Sequence, residues 1–351
     1  MNASFISTMS LSTTLRSTVM KGQVSLSKAT TEATTGRHAD MGETLGPLTG
    51  RDFSLRSDYS RVSNLIDTNA IVTGRLDATQ QAISNLTADA NTFMQQLLAA
   101  RGTAGGASVI LPNAQTNMAS LVDTMNTTLN GQYLFAGINT AVPPMTSYPG
   151  SPAQTAIDAA FAALPPAGFG FPQSNTASVA GITAAQMQSF ITTQLDPMFQ
   201  LPAWNPTWST ASSQNTTSRI STTQTVTTSE NANAQGFRDL AEAYTMVLSL
   251  GGSALGQAAF QTVVDAAVGK LGSAVYNLSL SGGQLGTSQQ QIKDASERMA
   301  IQKDLYNGQI NKMEAVDPTE ASVRVTSLQS QIEMSLSLTS QLHKLNLVDF
   351  L

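Results

Sequence analysis

A chain of 351 residues is long enough to bury a core without disulfide or metal staples, and it contains no cysteine to serve as a zinc ligand or nucleophile. A net charge of −5, with only 12% charged residues, excludes both a basic footprint for nucleic acid and a polybasic membrane patch. Ordinary soluble domains carry about 25% charged residues. Here Ser, Thr, Gln and Asn take those places, and such a surface loses little desolvation energy when it is buried against another copy.

Residues Met1 to Arg56 are weakly amphipathic, with Phe5, Met9, Val19 and Leu26 among many Ser and Thr and with glycines at 36, 42, 46 and 50. Alone, such a segment is not expected to fold well. Its first twenty residues lack the continuous apolar stretch of a signal peptide. From Val62 a heptad seam runs through Leu65, Asn69, Val72, Leu76, Thr79, Ile83, Leu86, Ala90, Phe93, Leu97 and Ala100. This predicts one helix of about 60 Å at 1.5 Å per residue, with Asn69 and Thr79 as polar seam positions. After the glycines of 102–106 the seam resumes from Leu111 to Met125 and ends at Asn130-Gly131, where a turn and a strand are expected.

Between Ile138 and Gln235 clustered prolines exclude long helices. Ile182 to Leu195 reads as a short helix and Ile220 to Thr228 as a strand, while Phe161, Phe169, Phe171, Phe190, Phe199, Trp204 and Trp208 predict a small core belonging to this insert. Helical patterning returns at Phe237, with Ala243 to Val275 too polar for a bilayer span. Gly251 to Gly256 and Gly282 to Gly286 superficially resemble phosphate loops, but neither has a Lys-Ser/Thr pair or a leading strand, so both read as helix breaks. Leu285, Ile292, Met299, Tyr306 and Met313 follow at seven-residue intervals. Asp317-Pro318-Thr319-Glu320 then caps a last helix, with Glu320 reaching back; it carries Val325, Leu328, Ile332, Leu336, Leu342 and Leu345. The final apolar cluster, with Leu347, Phe350 and Leu351, makes sense if both termini order on joining neighbouring copies.

The expected fold is therefore mainly α: an antiparallel coiled-coil bundle of the two halves around a central α+β or mostly β insert. The parts are an amino-terminal assembly segment (1–56), two bundle halves (57–137 and 236–316), the insert (138–235) and a carboxyl-terminal assembly helix (317–351). No catalytic, cofactor or metal site is expected. His38 and His343 each stand apart from other ligands at metal spacing, and Asp294, Glu297 and Asp304 read as a solvated face beside Lys293, Arg298 and Lys303.

Val316-Asp317-Pro318-Thr319-Glu320-Ala321-Ser322 and the terminal Leu345-Asn346-Leu347-Val348-Asp349-Phe350-Leu351 resemble the carboxyl end of bacterial flagellins. Gly131-Gln132-Tyr133-Leu134-Phe135-Ala136-Gly137 is similar to a turn of the hook-associated protein 3 branch, and Thr35-Gly36-Arg37 sits where the family carries a like tripeptide. The segment from His38 to Tyr59 departs from filament flagellins, which usually carry an Asn-rich, Asp-Asp-containing stretch there. The resemblance implies a non-enzymatic structural subunit that joins hook to filament, exported through the flagellar channel without cleavage and located extracellularly in the flagellum. Its implied partners are copies of itself, neighbouring hook-associated and flagellin subunits, and a cytoplasmic export chaperone, with neither nucleic acid nor membrane. The interface would be Phe5, Met9, Val19, Leu26, Val325, Leu328, Ile332, Leu336, Leu342, Leu345, Leu347, Phe350 and Leu351. The alternatives are a filament-forming flagellin and a secreted adhesin or enzyme acting through the insert.

Overall fold

The computed structural model describes residues 8–348 apart from Ala104 and Gly251. They form two compact units, Met1–Asn64 with Met299–Leu351 and Leu65–Arg298. In chain order, α1 (Thr8–Thr35) and the short α2 (Met41–Leu45) lead into α3 (Thr49–Ala100), then α4 (Gly106–Met125) and a hairpin of β1 (Thr128–Leu129) and β2 (Gln132–Tyr133). The insert holds α5 (Pro152–Ala162), α6 (Thr176–Val179), α7 (Ala184–Phe190), α8 (Asp196–Met198), α9 (Trp204–Thr207) and a second hairpin of β3 (Thr217–Arg219) and β4 (Thr225–Thr227). It is followed by α10 (Gln235–Thr245), α11 (Gln257–Glu314) and α12 (Pro318–Val348).

α3 begins earlier than the seam suggests and runs for 52 residues, or about 78 Å. In the unit of residues 65–298 it lies antiparallel to α11. Asn69 Nδ2 donates to Ser296 Oγ at 2.9 Å, Gln289 Nε2 to Asp77 Oδ1 at 2.6 Å, and Arg101 makes a two-pronged bond to Asp265 at 2.5 and 2.7 Å. The partner number falls as the α3 number rises. From Val72 to Ala100 every predicted seam residue is buried. Asn69, the polar seam position, also donates to the Ile220 carbonyl at 3.0 Å, so one amide ties α3 to both α11 and the insert.

Gly282, Gly283 and Gly286 do not break a helix, since α11 is continuous for 58 residues. Gln80 reaches over to donate to the Gly282 carbonyl at 3.3 Å, and a Cβ on Gly286 would meet that amide at 3.4 Å, an ordinary contact. Gly252 to Gly256 does fall at a break, between the turn ending at Leu250 and the start of α11. None of the described helices is long and apolar enough to cross a membrane.

The insert is α+β, with helices predominating over one two-stranded hairpin. Residues 220–228 are not one strand. Ser221 Oγ accepts from the backbone of Thr223 and Gln224, turning the chain so that 217–219 pairs with 225–227. The aromatic residues do not form a core of their own. Phe161, Phe190, Phe199, Trp204 and Trp208 join the cluster that includes Phe93, Phe135, Phe237 and Tyr244. Trp204 and Trp208 stack at 5.3 Å, Tyr148 stacks on Trp208 at 5.3 Å, and Trp204 Nε1 donates to Asn233 Oδ1 at 3.0 Å. The insert thus shares one core with the helices.

At the centre lies α10, buried on every side from Gly236 to Thr245. Most of its charges are held. Arg238 donates to the Phe199 carbonyl at 2.8 Å, and Asp239 accepts from Gln235 at 2.6 Å and Asn277 at 3.0 Å. Glu242 differs. Fully buried, it has Lys270 Nζ 2.9 Å away, yet neither carboxyl oxygen has a well-aligned hydrogen bond among the described residues. Burial, reinforced by Asp196, pushes this carboxyl up to about 9, and Lys270 offsets only part of the effect. Between the ordinary value of 4.5 and about 9 the folded chain therefore holds a proton that the unfolded chain has released. Stability falls with rising pH across that window, by at most about 1.4 kcal/mol per pH unit. Glu242→Gln is expected to remove this slope, giving a urea midpoint close to that of the parent near pH 4.5 and clearly higher at pH 8. Parallel midpoints across that range would show that Glu242 is ionised in the folded chain.

Candidate assembly interface

The interface expected from the sequence falls on α1 and α12, which pair in the first unit. At Gly22 the helices lie close, and a Cβ there would lie 3.1 Å from Ile332 Cγ1. Ten residues on, Glu32 accepts from Arg324 at 3.2 Å, and beyond the helix end Val316 N–H donates to the Gly36 carbonyl at 2.9 Å. The pairing is thus antiparallel. Both helices are rich in Ser and Thr, and many hydroxyls bond back to the carbonyl four residues earlier, as Thr18 does to Thr14 and Thr339 to Ser335. Such bonding neither adds to nor rescues a helix, so packing of the apolar stripe must order this pair.

Val19, Leu26, Val325, Leu328 and Ile332 are half-buried, with Ala29 and Ala321 fully buried on the same faces. Leu336 is more than half exposed; the half-buried face of α12 continues through Ser335 and Thr339, in step with a seam of 321, 325, 328 and 332. Met9 belongs to α1, and Leu342, Leu345 and Leu347 to α12, but their side chains lie outside the described residues, as do Phe5, Phe350 and Leu351 altogether.

Sequence reasoning passed over the opposite faces. On α1, Met20 and Val24 are four apart and more than half exposed; on α12, Val323, Met334 and Leu338 are likewise exposed. At 100° per residue Met20, Val24, Val323 and Met334 fall roughly opposite each helix's seam, while Leu338 flanks it on the other side from Leu336. A second apolar stripe at Met20, Val24, Val323 and Met334 is the sequence signal of these faces.

Where the pair ends, the backbone turns sharply. Gly36 closes α1 with φ +67°, a conformation that strains any residue with a Cβ, and its N–H bonds back to Glu32. Opposite it, Asp317 Oδ1 accepts from Thr319 N–H at 2.8 Å, which holds the carboxyl below its ordinary value. Pro318 opens α12 as expected; Glu320 does not reach back but pairs with Arg324 at 2.9 Å. His38 lies 3.8 Å from Glu32, and the described residues contain no group of three potential metal ligands.

Two sequence models match the chain, the bacterial flagellin N-terminal helical region over residues 6–140 and the C-terminal helical region over 268–351. The chain belongs to the bacterial flagellin family. It is therefore a member of a family of structural subunits and a component of the bacterial flagellum. A solved structure from Vibrio parahaemolyticus, provisionally described as a flagellar hook-associated protein, shares the fold: TM-score 0.52 and 9% identity over 76% of this chain and 97% of that one. No curated protein matches the sequence.

The two flagellin-like motifs now have physical readings. In Gly131 to Gly137, the hairpin turn places Asn130 at φ 52° and Gly131 at φ 76°, as a two-residue turn between twisted strands requires. The turn delivers Phe135 edge-on to Phe237 at 5.4 Å and pairs Ala136 with Asn231. Thr35-Gly36-Arg37 is the stop and exit of α1.

Gly22→Leu is expected to force α1 and α12 apart, at a cost of about 1–3 kcal/mol. The check is amide exchange, which is expected to accelerate along both helices while the 65–298 unit keeps its protection. Unchanged exchange in α1 would mean that the pair does not pack in solution as it does here.

Proposed function

We propose that this flagellin-family chain is a subunit of the hook–filament junction, self-assembling through α1 and α12. The observation that carries the reading is the second, outward apolar stripe on both helices: Met20 and Val24 on one, Val323, Met334, Leu338 and the flanking Leu336 on the other. A two-helix layer with apolar residues on both its inner and outer faces is half of a core. Copies packed side by side bury it, and a surface poor in charge makes that burial cheap. The carboxyl-terminal cluster Leu342, Leu345, Leu347, Phe350 and Leu351, together with Phe5 and Met9, would extend the same interface towards the chain ends. Junction is preferred over filament by the turn at 131–137, which is similar to that of the hook-associated protein 3 branch, by the departure between His38 and Tyr59, and by likeness in fold to the hook-associated structure. Export through the flagellar channel, with a chaperone covering the terminal stripes in the cytoplasm, accompanies this reading.

Met334→Asp and Val323→Asp are expected to leave the helical content of the isolated chain unchanged and to abolish its incorporation into flagella. Removal of Lys344 to Leu351 is expected to do the same without stopping secretion. Normal assembly of all three would sink the interface. Cells lacking the chain, viewed by electron microscopy, are expected to show bare hooks and to shed flagellin into the medium. Filaments still attached would instead favour a filament flagellin. Excising 138–235 is not a clean test of an adhesin or enzymatic insert, because those residues help to close the core of the 65–298 unit.

A further inference from the structure

The insert carries a cleft for which assembly through α1 and α12 has no use. It lies within the 65–298 unit, has a volume of about 560 Å³, and opens between the loop at 165–171 and the segment of α6 and α7. Small-molecule sites are of this size, roughly 300–1,000 Å³.

The loop is held as a fixed wall. Ala167 and Gly168 N–H donate to the Leu164 carbonyl, Phe169 N–H to Phe161 at 2.8 Å and Gly170 N–H to Ala163 at 2.8 Å, so the segment closes over the end of α5. Gly168 permits this close approach, because a Cβ there would lie 2.3 Å from the Ala160 carbonyl oxygen. Phe169 packs on Phe161 and Phe190, with ring centroids 4.6 and 5.1 Å apart. Even so, Phe169 and Phe171 both stay part-exposed, and both line the cleft.

The opposite side is polar without being charged. Gln186 gives its Oε1 to the N–H and the hydroxyl of Thr183 at 3.0 and 2.9 Å, which leaves Nε2 as a donor. Among the described residues, Gln186 Nε2 and the hydroxyls of Ser178 and Ser189 have no protein partner, and all three residues line the cleft. No charged side chain does.

This combination selects the occupant. A charged ligand would give up its hydration for no counter-charge. A wholly apolar one would cover three polar groups without bonding them. A peptide main chain would find the N–H groups of the loop already taken. A neutral sugar satisfies both walls, with its C–H face on the phenyl rings and its hydroxyls donating to and accepting from Ser178, Gln186 and Ser189. We propose that this cleft is a binding site for neutral pyranose sugars, stacked on Phe169 and Phe171 and hydrogen-bonded by Gln186 Nε2. The site does not depend on whether the chain builds junction or filament.

Saturation-transfer NMR on the full-length chain tests this, with the methyl glycosides of glucose, galactose and N-acetylglucosamine as probes and glucuronic acid as the charged control. Transfer to the ring C–H protons of at least one neutral glycoside is expected, and none to glucuronic acid. Ser189→Trp fills the cleft from an exposed helix position and is expected to abolish the transfer while the 65–298 unit keeps its amide protection. Gln186→Glu keeps the capping box but removes the Nε2 donor, and is expected to weaken binding about fivefold. Absence of transfer to all three neutral glycosides would overturn the proposal. So would equal transfer to glucuronic acid, or undiminished binding in Ser189→Trp, since the sugar would then sit elsewhere.

Discussion

The structure depends on one long-range constraint, the antiparallel seating of α3 against α11. The side chains that meet across it are 164 to 227 positions apart in the chain, so the loop between them must be gathered before the contact is rewarded. What makes the pairing worthwhile is the buried stripe from Val72 to Ala100, which would otherwise face water over many turns. A local excess of helix propensity would not suffice, because the helices carry many Ser, Thr, Asn and Gly residues.

The same constraint explains the insert. Once α3 and α11 are paired, α4 and α10 complete the helical layers, and the segment between them has only to cover the remaining apolar surface. Its aromatic residues do so through stacked and edge-on contacts, needing little regular backbone. The Trp204, Trp208 and Tyr148 column and the edge contact of Phe93 with Tyr244 belong to one continuous cluster. α10 is the cost of that arrangement: a helix buried all round has no solvent face for Arg238, Asp239 and Glu242, and Glu242 is left without adequate hydrogen bonding.

The first unit has the opposite character. Its α1 and α12 share one narrow seam of small and medium residues, close enough at Gly22 to exclude a larger side chain, and their remaining apolar residues point outward. Such a pair buries little apolar surface in isolation; in the proposed function it becomes a core when layered.

Period and punctuation were legible in the sequence. The heptads from Val62 to Ala100 and from Leu285 to Met313 were enough to specify long helices, Asn130-Gly131 specified a turn and a strand, and Asp317-Pro318 specified a helix start, because each depends on local backbone sterics and on which face is apolar. The family resemblance was carried by those same local features. What only the tertiary structure decided were the matters of partnership. Gly282 to Gly286 continued within one 58-residue helix; residues 220–224 turned because Ser221 caps its own backbone; the aromatic insert merged with the helical core; and Glu314 met Arg56 from 258 positions away. In the last case the sequence showed only isolated charges on separate helices. Periodicity records that a face will be buried, whereas which residue buries it is set by the long-range pairing of α3 with α11 and of α1 with α12.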